Sequence, residues 1–178
     1  MKIGSISLAA MALFAGAAFA TATSPISKPA AIRVHSTVSI TAHGFTVEDT
    51  DFVVTGGAAG GSPTNRSIFG YTNTSPNPGG GRVVTTFYRG VPTRRALADL
   101  QQQIANLGEL PSACSLESGS FIAGSYEVTF YNAGAASRQV IAVALDHNAP
   151  PAAQCPASVA TLLQLLNDFF ADTAHPIP

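Results

Sequence analysis

The sequence predicts an α+β fold, an antiparallel β-sheet of about five strands with two α-helices packed on one face of it. Three observations predict it. Residues alternate with a period of two in segments around Ile32, Phe45, Val83, Tyr126 and Val140; apolar residues recur at spacings of three and four in two others; and Gly, Pro and Asn clusters separate them. An all-β sandwich would require both helical patterns to be false, yet each begins with a recognisable start signal.

Before the first of these elements, Met1 to Ala20 holds one lysine, an apolar run and then Ala18-Phe19-Ala20, the pattern of a signal peptide cleaved after Ala20. The run is short and alanine-rich, and no second stretch of about 18 apolar residues follows, so no membrane span is expected. Residues 21–30 are small, polar and broken by proline, and read as a flexible lead-in. Residues 31–178 are then a single domain.

Ile32, Val34, Ser36, Val38 and Ile40 alternate with Arg33, His35, Thr37, Ser39 and Thr41, which is the clearest strand pattern in the chain. His43-Gly44 turns the chain into a second strand from Phe45 to Thr55, expected to be broken or bulged at Glu48-Asp49-Thr50-Asp51. Gly/Pro-rich loops follow at 56–63 and 73–81, and between them Arg66 to Tyr71 reads as at best a short edge strand. RVVTTFYRG, from Arg82 to Gly90, has high β-propensity. Thr93 is placed to cap a helix whose Leu97, Leu100, Ile104 and Leu107 share a face, and Gly108 stands where that helix ends. Glu109 to Gly119 reads as loop.

The stretch Phe121 to Asp172 reads as the core. Tyr126, Val128 and Phe130 form one face of a strand, Asn132 to Ser137 supplies turn chemistry, and Arg138 to His147 returns as a second arm. Val140 to Leu145 lacks polar residues, so that arm is expected to be central and covered on both sides. After a proline-rich loop, Pro156 suits the first helical position, and Val159, Leu162, Leu163, Leu166, Phe169 and Phe170 form a broad apolar stripe.

Loss of Lys2 with the signal peptide leaves eight basic against ten acidic residues, a net charge of −2 with histidines neutral. A nucleic-acid partner is disfavoured, because phosphate neutralisation needs a basic excess. Cys114 and Cys155 are the only cysteines, and an exported chain in the periplasm or extracellular space meets oxidising conditions, so one disulfide is expected between them. They lack the C-x-x-C spacing and nearby histidines of a redox pair or a metal site. The bridge would tie the end of the first helix to the start of the second, and both helices would then pack on one sheet face.

Candidate sites are sparse. Asp146 and His147, at the end of the apolar strand, have the types of a general base and its orienting carboxylate, although Asp146-His147-Asn148 before a proline loop also reads as a turn. His35 and His43 could share a metal only if His147 or His175 came close. Arg82, Arg89, Arg94 and Arg95 flank one strand and open the first helix, as an anion site or a solvated rim. The glycine-rich pieces match no phosphate-binding fingerprint, and no cofactor is implied. Asn65-Arg66-Ser67 and Asn73-Thr74-Ser75 are glycosylation sequons, meaningful only in a eukaryotic secretory pathway.

From Arg82 to Asp172 the succession of a strand, TRRALADLQQQIANLG, SYEVTFY paired with RQVIAVAL, a proline loop and ASVATLLQLLNDFF resembles emfourin-type metallopeptidase inhibitors in element order. The resemblance implies an inhibitor of an exported peptidase and matches no inhibitory residue. The residues themselves point to an exported, non-catalytic binding module whose partner is a protein, with Gly56 to Gly81 as the candidate surface. The alternatives are that inhibitor, a small hydrolase using His147 and Asp146, and a structural envelope component.

Overall fold

A computed structural model of the chain describes residues 26, 29–41, 46–56, 66–76, 82–132 and 138–178. The expected signal peptide and its cleavage site, His43 and Phe45, Asn65, and most of the two glycine-rich loops lie outside the described residues. The elements are β1 (Ala31–Ile40), β2 (Thr46–Thr55), β3 (Ser67–Ser75), β4 (Val84–Gly90), α1 (Arg94–Asn106), β5 (Ala113–Leu116), β6 (Ile122–Tyr131), β7 (Arg138–Leu145), α2 (Ala157–Thr173) and β8 (His175–Pro176). The sheet has eight strands in the order β5-β7-β6-β1-β2-β3-β4-β8. All neighbours are antiparallel except β5 and β7, which are parallel. The expectation of a purely antiparallel sheet of about five strands is therefore wrong, although the α+β class and the two helices stand.

The additional strands have separate physical origins. Arg66 to Tyr71, expected as an edge fragment, belongs to the nine-residue β3, which lies between β2 and β4 and takes in residues 73–75 of the expected loop. Gly70 weakens the pattern in the sequence but is needed in the fold, because the Phe52 ring of β2 occupies the space a side chain there would fill. β5 has only four residues, too few to show alternation, and pairs with β7 across Ala113↔Ala142 to Leu116↔Leu145. β8 is two residues of the C-terminal tail laid against Tyr88 and Arg89.

β2 is also unbroken, in continuous register with β1 from Ala31↔Thr55 to Ile40↔Thr46. Its acidic residues stay in the ladder because partners wait on the same face. Asp51 receives two hydrogen bonds from Arg33, at 2.9 and 2.6 Å, and Asp49 lies 3.7 Å from the His35 ring and accepts from Thr37 and Asn73 at 3.4 and 3.5 Å. The bond to Asp51, and then its charge, raise the Arg33 guanidinium further above its already high range.

Register sorts the sheet into two faces. Ile32, Val54, Ile68, Phe130, Val34, Val128, Ile141 and Val143 fall on one face and are buried. They form one core with Leu97, Leu100 and Ile104 of α1 and Val159, Leu162, Leu163, Leu166 and Phe170 of α2. Both helices thus cover one face. β7 is not covered on both sides as expected, since Ile141 and Val143 are buried whereas Ala142 and Ala144 are exposed. Alanine is small enough to leave a groove of about 1110 Å³ on that side, between the segments 109–115 and 150–156.

Local chemistry explains the helix ends. The Thr93 hydroxyl accepts from the Ala96 N–H at 3.1 Å, which caps α1 as the sequence predicts, and Gly108 follows at a φ of 75°. Pro156 is the N-cap of α2 and not its first helical residue, with an extended backbone and no capping side chain. The lead-in is anchored where it is described: Ile26 is buried in the core, and the Pro29 carbonyl accepts from the buried Gln101 amide at 2.9 Å. Among the described residues no helix is long and apolar enough to cross a membrane.

Gly90 closes β4 against the last turn of α2. A Cβ there would run into the carbonyl oxygen of Thr173, a backbone atom that cannot step aside alone. Gly90→Ala is expected to cost roughly 1–3 kcal/mol by overpacking, measured by urea unfolding. Gly119→Ala, which meets nothing within 4 Å, is expected to stay within about 0.5 kcal/mol of wild type.

Candidate functional site

Cys114 and Cys155 form a disulfide with their Cα atoms 4.9 Å apart. Cys114 pairs in register with the buried Val143, so its side chain lies on the helix-covered face, where Cys155 waits one residue before the N-cap of α2. The Cys155 N–H donates to the Ser115 carbonyl at 2.8 Å, and Ser115 also bridges to Gln154. The β5 edge is therefore met at Ser115 by the chain's own backbone.

The catalytic candidates do not assemble. Asp146 accepts from the Asn148 N–H at 2.9 Å, a turn of the Asx kind, while the exposed His147 makes no hydrogen bond or ion pair among the described residues. His35 faces Asp49 across β1 and β2. His175 pairs with Arg89 beyond β4, at the opposite end of the sheet from the strand that leads to His147. Among the described residues no three His, Cys, Asp or Glu side chains converge on a point. The Asn73 amide, part of a sequon, is held inside the sheet, donating to Asp49 and accepting from Thr85 at 2.7 Å.

The opposite edge of the sheet is different. Among the described residues, Val84–Gly90 is bordered on its outer side only by β8, which reaches Tyr88 and Arg89, and by the Ile177 N–H donating to the Phe87 carbonyl at 2.8 Å. Because that carbonyl points outward, alternation turns the N–H and C=O of Thr85 outward too, with no strand among the described residues to meet them. The strand is also unusually apolar for an edge. Val83, Val84 and Phe87 are 54%, 57% and 48% exposed. Natural edges are blunted by charge, proline or brevity, and an apolar edge left open is a template for a further strand.

Four arginines flank this strand along the chain. Arg82 precedes the strand, Arg89 lies near its end, and Arg94 and Arg95 open α1 directly after it; all are exposed. Among the described residues the one ion pair they make is the exposed contact of Arg95 with Asp99 at 3.8 Å. Compared with family models, curated proteins and solved structures, the chain matches none. Sequence reasoning found the arginines and the strand but not the edge, since position in a sheet is a property of strand order and leaves no mark on the strand itself.

Proposed function

We propose that this chain is an exported, non-catalytic protein-binding module that takes an extended, acidic segment of a partner protein as an added strand on the outer edge of β4. The observation that carries the reading is the hydrogen-bonding edge at Thr85, which no described strand meets, flanked by exposed Val83, Val84 and Phe87. Strand addition draws affinity from main-chain hydrogen bonds and selectivity from side chains on alternate sides. The arginines around β4 favour carboxylates in the incoming segment and speed its encounter. Export is supported by the first twenty residues, with their signal-peptide pattern, and by the disulfide, which persists in an oxidising compartment.

Thr85→Pro tests the reading. Proline removes the outward N–H and obstructs a new strand, while the inward ladder to β3 runs through Val84, Thr86 and Tyr88 and is left intact. Thr85→Val removes the hydroxyl bonded to Asn73 but keeps the N–H. Binding of a labelled ten-residue peptide that alternates valine with glutamate is expected to weaken at least tenfold in Thr85→Pro, a change of about 1.4 kcal/mol, and to persist in Thr85→Val. Fluorescence anisotropy reads both. Equal binding by wild type and Thr85→Pro, or a preference for the lysine version of the peptide, overturns the proposal.

A further inference from the structure

A second, unrelated feature lies on the helix-covered face, just beyond the end of the core. Register aligns Tyr126, Ser36, Thr50, Thr72 and Thr86 in one row across β6, β1, β2, β3 and β4. Every residue in that row carries a hydroxyl. The next row toward the core is Val34, Phe52, Gly70 and Tyr88, and α2 lies over it, with Phe170 stacked on Phe52 at 4.9 Å and Tyr88 tilted against Phe52 at 5.4 Å. Between the hydroxyl row and the side of α2 is a cleft of about 350 Å³, into which Asn167 of the helix also projects. That volume is within the usual range for small-molecule sites, roughly 300–1,000 Å³.

The hydroxyls are poorly occupied by the protein itself. Thr50 and Thr72 bond each other at 3.3 Å, but Ser36, Tyr126 and Asn167 make no side-chain hydrogen bond among the described residues. Ser36 is only 8% exposed, yet its hydroxyl is not one of the side-chain atoms buried without a partner, so it opens onto the cleft, where a ligand or water can meet it. Burial, reinforced by Glu48, raises the Tyr126 phenol above its ordinary range and keeps it a neutral donor.

The lining selects a chemical class. It contains no charged side chain, and the charge felt at Tyr126 is that of the acidic Glu48, so an anionic ligand would lose its hydration without gaining a counter-charge. A purely apolar ligand would bury the Ser36 and Tyr126 hydroxyls without partners. What satisfies both conditions is a neutral ring bearing several hydroxyls, with its C–H face toward Tyr88 and Phe52. Neighbouring strands set the hydroxyls about 4.8 Å apart, a spacing suited to groups on non-adjacent ring carbons.

We propose that this cleft binds a neutral pyranose sugar, either free or as the terminal unit of a glycan. Saturation-transfer NMR on the full exported chain tests it, with glucose, galactose, mannose and N-acetylglucosamine as probes. Glucuronate and glucosamine serve as charged counterparts, and neutral disaccharides distinguish a free sugar from a chain end. The expected result is saturable binding of at least one neutral sugar, weakened at least tenfold in Ser36→Ala and in Asn167→Ala. Asn167 is exposed on α2, so its substitution leaves the core unchanged. Thr85→Pro, which acts on the other site, should not alter sugar binding. No saturable binding by any neutral probe, tighter binding of the charged ones, or binding indifferent to Asn167→Ala overturns the proposal.

Discussion

Replacing both Cys114 and Cys155 by serine is expected to lower the stability of the chain by about 4 kcal/mol. The estimate comes from the loop entropy released when a cross-link spanning 41 residues is removed. The bridge encloses β6, β7 and the η-turn at Pro151–Ala153, and its two ends sit on the short β5 and at the start of α2. Without it, β5 keeps four residues of parallel pairing to β7, the backbone bond from Cys155 and the bridge to Gln154. Four residues of pairing are a weak hold, so loss should begin there. Urea unfolding with and without a reductant measures the global change, and amide exchange at Ser115 and Leu116 shows whether that edge opens first. A double serine variant as stable as wild type would mean that native packing alone fixes β5 and α2.

The same bridge shows what was legible in the sequence. Two cysteines in a chain with an export pattern have few alternatives to pairing, so redox chemistry predicted a tertiary contact that no local pattern contains. The helices were legible for a different reason: Leu97, Leu100 and Ile104, and Val159, Leu162, Leu163 and Leu166, repeat at the helical period over enough turns to stand out. β3 was legible only as a short edge strand, because Gly70 weakens its pattern and Asn73, Thr74 and Ser75 read as loop. They tolerate a strand only because Phe52 covers the glycine, and Asn73 bonds Thr85 and Asp49. The acidic run in β2 misled in the same way, since nothing local announces that Arg33, His35 and Thr37 will stand beside it.

Function was less legible than fold because both proposed sites are made by register and strand order. The hydroxyl row draws one residue from each of five strands, from Ser36 to Tyr126, and no two of them are neighbours in sequence. Likewise Thr85 matters because β4 lies almost at the end of the sheet. The motifs that did stand out, Asp146-His147 and the glycine-rich runs, stood out by residue type alone. Asp146 turns to the backbone of Asn148, leaving His147 without a partner among the described residues.

Phe130→Ala is expected to destabilise the chain by roughly 3–5 kcal/mol, the range for truncating a fully buried aromatic ring. Phe130 has no exposed surface, lies opposite Ile32 on β1, and belongs to the cluster that both helices share. Its removal takes contacts from α1, α2 and the sheet together, so neighbours cannot close the space by moving one element. Phe69→Ala makes the comparison informative. That ring, on the uncovered face of β3, is 56% exposed, and its loss should cost little, within about 0.5–1 kcal/mol. Two phenylalanines on interior strands of one sheet thus differ severalfold, because one face is packed by helices and the other is not. Thermal and urea unfolding of the two variants measure the difference. Similar losses for both would mean that the face bearing Phe69 is also covered, and the assignment of a single helix-packed face would fail.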